Sequence, residues 1–385
     1  MGGEPMEGEP DDVADPRHFT AVRRPLLQAE TLPAWCYRSD DFYRREAGLV
    51  FGKAWNFIGH AEQVPGPGSY MTGTLAGVPV IVVRGKDLRL RAFANTCRHR
   101  GALLLQGEGE IAAIRCPYHS WTYDLAGHLR GAAGMEHTEA FDPAAFGLVE
   151  FRLESWANFL FVCMDDATPD LAAWLGDLPG RLAPYALEDM TLVRLKTWEI
   201  DCNWKIYVEN AMESYHVPTV HMKTIAMQKR DINPPLFGDG QWCGLFTRHT
   251  GSRALEAGET GFPYIPSLAG DSAEGSHYIL LYPTTMLALT FDCMWWLEVY
   301  PEGAEKITVR SGALFPKSTC AREDFSEIVE KYFRRWDRSI VEDNEISALA
   351  QRGLRSPFAR AGRFSYLEPL VHSLAGWVLD RVAPE

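Results

Sequence analysis

Two short stretches combine cysteine and histidine at close spacing: Cys97-Arg98-His99-Arg100-Gly101 and Cys116-Pro117-Tyr118-His119-Ser120-Trp121. Each offers one thiolate and one imidazole, the first as Cys-x-His and the second as Cys-x-x-His. This donor set suits a zinc ion, or a [2Fe–2S] cluster with one iron on two cysteines and the other on two histidines. Structural zinc sites usually pair like ligands, Cys-x₂₋₄-Cys with His-x₃₋₅-His. One Cys and one His per loop instead fits a cluster gripped between two loops, with Cys97, His99, Cys116 and His119 as its ligands and Trp121 as a roof. The bland alternative is two buried cysteines and two unrelated surface histidines.

A second constellation runs from Glu209 to His221 and contains Asn210, Glu213, His216 and Pro218. Glu213 and His216 are three apart, so on a helix they share a face. Pro218 should break that helix, so that His221 comes from a turn or a new helix. Two histidines and one distant carboxylate form the facial triad of non-haem Fe(II) oxygenases, which leaves coordination positions open for O₂ and substrate. The third ligand is sought on the amphipathic segment near the C-terminus. Its apolar stripe runs Val329, Tyr332, Phe333, Trp336, Ile340, and continues to Asp343, Ser347 and Ala350. Asp343 therefore points inward, whereas Glu342 and Glu345 fall off the stripe. An inward carboxylate is costly unless paired or bound to a metal. Asn210 is a further candidate in the same site.

The elements that must position these groups fall into two regions. Across 385 residues, 46% are hydrophobic and 23% charged, ordinary values for one or two globular domains. The formal net charge of −13 argues against a nucleic-acid partner, and no apolar run is long enough for a membrane span. Residues 1–15 read as a disordered, acidic lead without secretory character. The eight scattered cysteines show no disulfide framework, which points to a reducing cytoplasm.

Residues 16–44 form an N-terminal helical part, and Asp40 is expected to cap a helix over 41–50. Residues 45–165 read as a small antiparallel β domain, with strands near 69–75, 78–84, 88–95, 112–115, 121–124, 151–154 and 159–164 separated by Gly-rich turns. Residues 166–385 read as a second domain. It has a helix over 169–190, strands at 192–200, 276–282, 285–291, 294–300 and 306–315, a helix from Asn203-Trp204-Lys205, and a long helix over 323–351. The pattern is α+β, a curved antiparallel sheet around a long C-terminal helix.

Taken together, these motifs resemble the Rieske non-haem iron oxygenases, in particular their α or terminal oxygenase subunit. The resemblance covers nearly all of the chain after residue 30. It implies a Rieske domain inserted into a catalytic domain of helix-grip type, a [2Fe–2S] cluster, mononuclear Fe(II) held by His216, His221 and Asp343, O₂ as co-substrate, and NAD(P)H electrons through a ferredoxin or a flavin iron–sulfur reductase. It also implies a homotrimer in which Glu213 links His216 on the iron to His119 on the neighbouring subunit's cluster. Many relatives have Asp at that position; the longer Glu is shared with a subset similar to carnitine and betaine oxygenases. The segment around Glu213 and Asn203-Trp204-Lys205 also resemble choline, carnitine and glycine-betaine oxygenases, which implies hydroxylation beside a quaternary nitrogen, with loss of formaldehyde where an N-methyl group is attacked.

For a cationic head, Phe291, Trp295, Trp296 and Tyr300 offer aromatic faces, although strand alternation sends half of them away from any pocket. Arg248 and Arg253 would suit the alternative, an aromatic acid. Arg98, Arg100 and Arg115 could receive an acidic redox partner or tie the cluster loops together. An electron carrier without oxygenase activity and a zinc module are the readings from other classes.

Overall fold

A computed structural model describes residues 9–225 and 234–385. The chain divides into two compact units, one of residues 51–171 and one that joins residues 1–50 to 172–385. The sequence boundaries of 45 and 165 thus lie about six residues early at each end. Most of the lead falls outside the described residues or precedes Val13, which is buried. Asp15 then caps a short 3₁₀ turn by accepting from the Arg17 amide, so order begins before residue 16.

The smaller unit holds β1 (Asn56–His60), β2 (Ser69–Leu75), β3 (Val78–Arg84), β4 (Leu90–Ala94), β5 (Glu108–Glu110), β6 (Ile114–Arg115), β7 (Thr122–Tyr123), β8 (Leu129–Gly131), β9 (Glu150–Trp156) and β10 (Phe159–Cys163). Seven of these form one antiparallel sheet ordered β1-β10-β9-β4-β3-β2-β5, and β6-β7-β8 form a second. Ile81, Val83 and Phe93 from the large sheet pack with Ile114, Trp121, Tyr123 and Leu129 from around the small one. Cys97 and Cys116 belong to this same apolar cluster, so the two ligand loops hang from a filled core.

In the larger unit three 3₁₀ segments, Pro16–Phe19, Leu26–Gln28 and Ala34–Tyr37, lead to the first α-helix, α1 (Asp40–Glu46). Its N-cap is Ser39, whose Oγ accepts from the Phe42 amide; Asp40 is the first helical residue, and the turns over 47–51 widen. After the insertion come α2 (Leu171–Leu175) and α3 (Leu178–Leu182), not one helix over 169–190. Gly176 separates them at φ +56°, and a Cβ there would lie 2.4 Å from the Gly240 nitrogen. The left-handed backbone and the close approach both require glycine.

Then follow β11 (Met190–Ile200), α4 (Trp204–Ala211), α5 (Val217–Val220), β12 (Leu236–Phe237), β13 (Trp242–Arg248), β14 (Gly275–Leu281), β15 (Thr285–Leu289), β16 (Met294–Gly303), β17 (Lys306–Pro316), α6 (Lys317–Cys320), α7 (Phe325–Leu354) and α8 (Pro369–Val382). The sheet is antiparallel, ordered β11-β17-β16-β15-β14-β13-β12. The apolar stripe of α7, with Val329, Tyr332, Trp336 and Ile340, packs on Ala288, Trp295, Ala313 and Phe315, which is the expected sheet around a long helix. Ala350 is exposed and Gln351 takes the buried position instead.

The Asn203-Trp204-Lys205 run now has a physical role. Asn203 caps α4 by accepting from the Lys205 amide. Lys205 Nζ meets Glu46 Oε1 at 2.7 Å and the Cys36 carbonyl at 2.9 Å, and Trp204 Nε1 donates to Glu46 Oε2 at 3.0 Å. Both charged side chains are fully buried. This paired charge pins α1 to α4, the helix that leads into the Glu213–His221 segment.

Candidate metal centres and cleft

The two cysteine loops have the same backbone design. The Cys97 amide donates to the Ala102 carbonyl at 2.8 Å, and the Gly101 amide to the Cys97 carbonyl at 3.0 Å. In the second loop the Cys116 amide donates to the Trp121 carbonyl at 2.8 Å, and the Ser120 amide to the Cys116 carbonyl at 3.1 Å. Both fifth residues sit at positive φ, Gly101 at 71° and Ser120 at 61°. The non-glycine case is braced by Arg115, whose Nη2 donates to Ser120 Oγ at 3.0 Å.

Both thiols are buried, and the His99 and His119 rings lie 4.7 Å apart. Trp121 stacks on His99 at 4.8 Å and 10°, the roof anticipated from the sequence. His99 Nδ1 is buried with no hydrogen-bond partner, an orphan that a metal would satisfy. Burial pushes the Cys116 thiol up, but the His119 and Tyr118 amides and the Cys97 sulfur outweigh it and hold the thiol below its ordinary value. The donor set therefore fits a cluster. Tyr123 reinforces it: its hydroxyl lies 3.4 Å from Cys97 Sγ and accepts from the Arg98 amide at 3.0 Å. Arg98 Nη1 donates to the Gly147 carbonyl and the Arg100 guanidinium lies over the Tyr118 ring. Arg115 thus braces its own loop, Arg100 ties the first loop to the second, and Arg98 ties the first loop to the Gly147 segment.

In the larger unit, donor atoms of His216, His221 and Asp343 all lie within 4.8 Å of one another. The Nε2 atoms point to a common side, 3.0 Å (His221) and 3.6 Å (His216) from Asp343 Oδ1. Their outer nitrogens are held by carboxylates, His216 Nδ1 by Glu213 Oε1 at 2.5 Å and His221 Nδ1 by Glu342 Oε2 at 2.7 Å. Such outer partners fix the tautomer that leaves Nε2 free for a metal. Asn210 Nδ2 donates to Asp343 Oδ1 at 2.8 Å and orients that carboxylate. Glu342 also accepts from Thr224 Oγ1, while Glu345 is exposed.

Two local expectations fail. Glu213 and His216 do not share a helix face, because α4 ends at Ala211. Pro218 does not end a helix either; it starts one, in the first turn of α5 where no amide donor is needed. His216 and His221 flank that single turn, which brings their rings to 5.1 Å.

A cleft opens on the triad. Glu213, His216, His221 and Asp343 line one part, and Leu245, Tyr278, Trp295, Arg253 and Arg335 are among its other walls. Of the aromatic candidates only Trp295 lines it. Phe291 instead packs on His249 and Tyr264. Trp296, one residue along β16, faces the other side of the sheet and lies over Gly312. Tyr300 is likewise absent from the lining. Arg248 makes an exposed ion pair with Glu274, whereas Arg253 is buried in the wall. Arg335 is the charged lining residue that the sequence did not reveal.

Residues 54–142 match the Rieske [2Fe–2S] domain, and residues 187–384 match the catalytic domain of the ring-hydroxylating α subunit. The carnitine monooxygenase oxygenase subunit of Acinetobacter baumannii is 30% identical over 85% of this chain and 86% of its own. The chloroplastic choline monooxygenase of Beta vulgaris is 27% identical over 92% and 77%. The crystal structure of the quaternary ammonium Rieske monooxygenase CntA with L-carnitine superposes with a TM-score of 0.76, at 26% identity over 92% of this chain and 96% of that one. The chain belongs to the ring-hydroxylating oxygenase α-subunit family, enzymes that carry a Rieske [2Fe–2S] cluster and a mononuclear iron and draw electrons from a partner protein.

Proposed function

We propose that this chain is the terminal oxygenase of a quaternary-ammonium Rieske monooxygenase, which hydroxylates beside the cationic nitrogen of a small substrate and releases formaldehyde where an N-methyl group is attacked. The observation that carries the reading is the conjunction of the His216–His221–Asp343 triad, at the wall of a cleft, with likeness to carnitine and choline oxygenases along most of the chain. Cys97, His99, Cys116 and His119 would hold the cluster, and His216, His221 and Asp343 the iron. When bound, these groups supply single electrons and oxygen activation.

The protein's own residues do the rest. Glu213 and Glu342 keep the outer nitrogens of the two histidines occupied, so both rings present Nε2 to the cleft. Asn210 fixes Asp343. We assign Glu213 the bridging role between subunits of a head-to-tail homotrimer. A ferredoxin or flavin iron–sulfur reductase is the electron source, and the cytoplasm the setting, in keeping with eight free cysteines. Among the described residues no helix is long and apolar enough to cross a membrane.

Coupled turnover with such a reductase tests the reading. Demethylated or hydroxylated amine should appear from quaternary ammonium compounds, with formaldehyde where demethylation occurs. Ring-hydroxylated acid as the sole product would replace it with the aromatic alternative.

A further inference from the structure

Arg335 is a charged residue buried in the wall of the cleft. It sits on α7 with Ser339 and Asp343 at intervals of four, and all three line the cleft. The rise of 1.5 Å per residue sets its Cα about 12 Å along the helix from that of Asp343. The side chain is 4% exposed. Its partners are the Ser339 hydroxyl, 3.3 Å from Nη1, and the face of Trp295, 5.6 Å from the guanidinium carbon. Nε is buried without a hydrogen bond, and no carboxylate among the described residues pairs with it.

A buried, unpaired guanidinium is expensive, and proteins normally satisfy one with a carboxylate. Asp343 is near enough to be felt electrostatically, but its Oδ1 is directed to Asn210 and the two histidines. Arg253, buried in the same wall, adds a second positive charge nearby. Burial accordingly pulls the Arg335 pKa below its ordinary value. Trp295, the aromatic residue of the wall nearest Arg335, has that guanidinium 5.6 Å from its ring and packs on Trp336 at 4.9 Å. The cleft is thus divided, with carboxylates at the metal end and guanidinium charge beyond.

We propose that Arg335 is the anchor for a carboxylate on the substrate, so that the enzyme takes zwitterionic ammonium carboxylates and not a simple cation such as choline. The ammonium group then lies at the Glu213–Asp343 end, beside the reacting position. The inference rests on the oxygenase reading above and selects within it, since choline carries no carboxylate whereas carnitine does.

The test is calorimetric binding to the iron-loaded, cluster-containing protein under anaerobic conditions, with carnitine, carnitine methyl ester, choline, glycine betaine and benzoate. Carnitine should bind roughly 10- to 100-fold more tightly than its ester, the loss expected for a charge-assisted hydrogen bond. Arg335→Gln should weaken carnitine by the same factor and leave the ester and choline unchanged. Arg335→Lys should recover part of the loss, since the charge returns without the planar fork. Equal affinity of wild type for acid and ester overturns the anchor, and that comparison needs no variant to fold. An equal loss for choline and carnitine in Arg335→Gln also overturns it, because the residue would then act only structurally. Arg335-dependent binding of benzoate with no binding of any ammonium compound keeps the anchor and removes the quaternary-ammonium reading. Binding of choline and of carnitine with no acid-over-ester preference does the reverse.

Discussion

Replacing Glu342 by Gln should weaken iron binding without removing it. Glu342 Oε2 accepts two hydrogen bonds of 2.7 Å, from His221 Nδ1 and from Thr224 Oγ1. Gln keeps the shape and one acceptor oxygen but removes the charge. A hydrogen bond to a charged group contributes about 1.5–3 kcal/mol against roughly 1 for a neutral one. The loss of about 1–2 kcal/mol corresponds to a roughly five- to thirtyfold weaker iron affinity, overlapping the range known for outer-sphere partners of ligating histidines. Anaerobic titration of the iron-depleted, cluster-intact protein with Fe(II) measures it, with the visible absorbance of the cluster as an internal standard. Asp343→Ala should abolish binding at the mononuclear site, and Glu345→Gln should change nothing, because Glu345 faces solvent. If Glu342→Gln abolishes binding while Asp343→Asn retains it, Glu342 is the ligand and the periodicity argument for Asp343 is wrong.

Four other outcomes follow from the geometry. Lys205→Met should cost about 3–5 kcal/mol in urea unfolding, because it leaves Glu46 charged and fully buried, and adding Glu46→Gln should return part of that loss. Tyr123→Phe should lower the cluster potential by roughly 20–60 mV, the equivalent of one hydrogen bond of ~0.5–1.5 kcal/mol to the Cys97 sulfur, read by spectroelectrochemistry. Burial raises the Glu298 pKa from 4.5 to about 8, against the opposing hydrogen bonds from Thr284 and Thr285. Its contribution to stability is therefore full below pH 4.5 and lost as pH rises through 8, with a slope of about −1.4 kcal/mol per pH unit between; Glu298→Gln should flatten that part of the stability–pH curve. Glu213→Gln should retain both metal centres while slowing substrate-triggered oxidation of the cluster, and unaffected turnover would remove its bridging role.

The metal chemistry was legible because it is local. Each Cys–His pair lies within one tight loop, and His216 and His221 flank a single turn of helix. Asp343 lies more than a hundred residues away, yet the 3.6-residue period of α7 carried the inference from Trp336 and Ile340 to it. The same period hid Arg335, since a charge beside Trp336 reads as the edge of the stripe. Only the three-dimensional cleft shows that this position is enclosed. Strand alternation could show that Trp295 and Trp296 face opposite ways, but not which of them meets the site; the register of β16 against β17 decides that. The reading of one helix over 169–190 passed over Gly176, where the turn toward Gly240 demands a left-handed residue. β12, β13 and α8 were missed altogether, and α8 is a plainly apolar helix with seven buried residues.

The most direct test of the account is a single turnover. The iron-loaded protein is reduced without oxygen and mixed with carnitine, and air is then admitted. Cluster reoxidation is followed in the visible, and the amine product and formaldehyde are assayed. The account predicts reoxidation much faster with carnitine than without it, and hydroxylated or demethylated amine in proportion to the reduced sites. Reoxidation at the same rate with and without any ammonium compound, with no amine product, would contradict it and leave an electron carrier with an idle iron site.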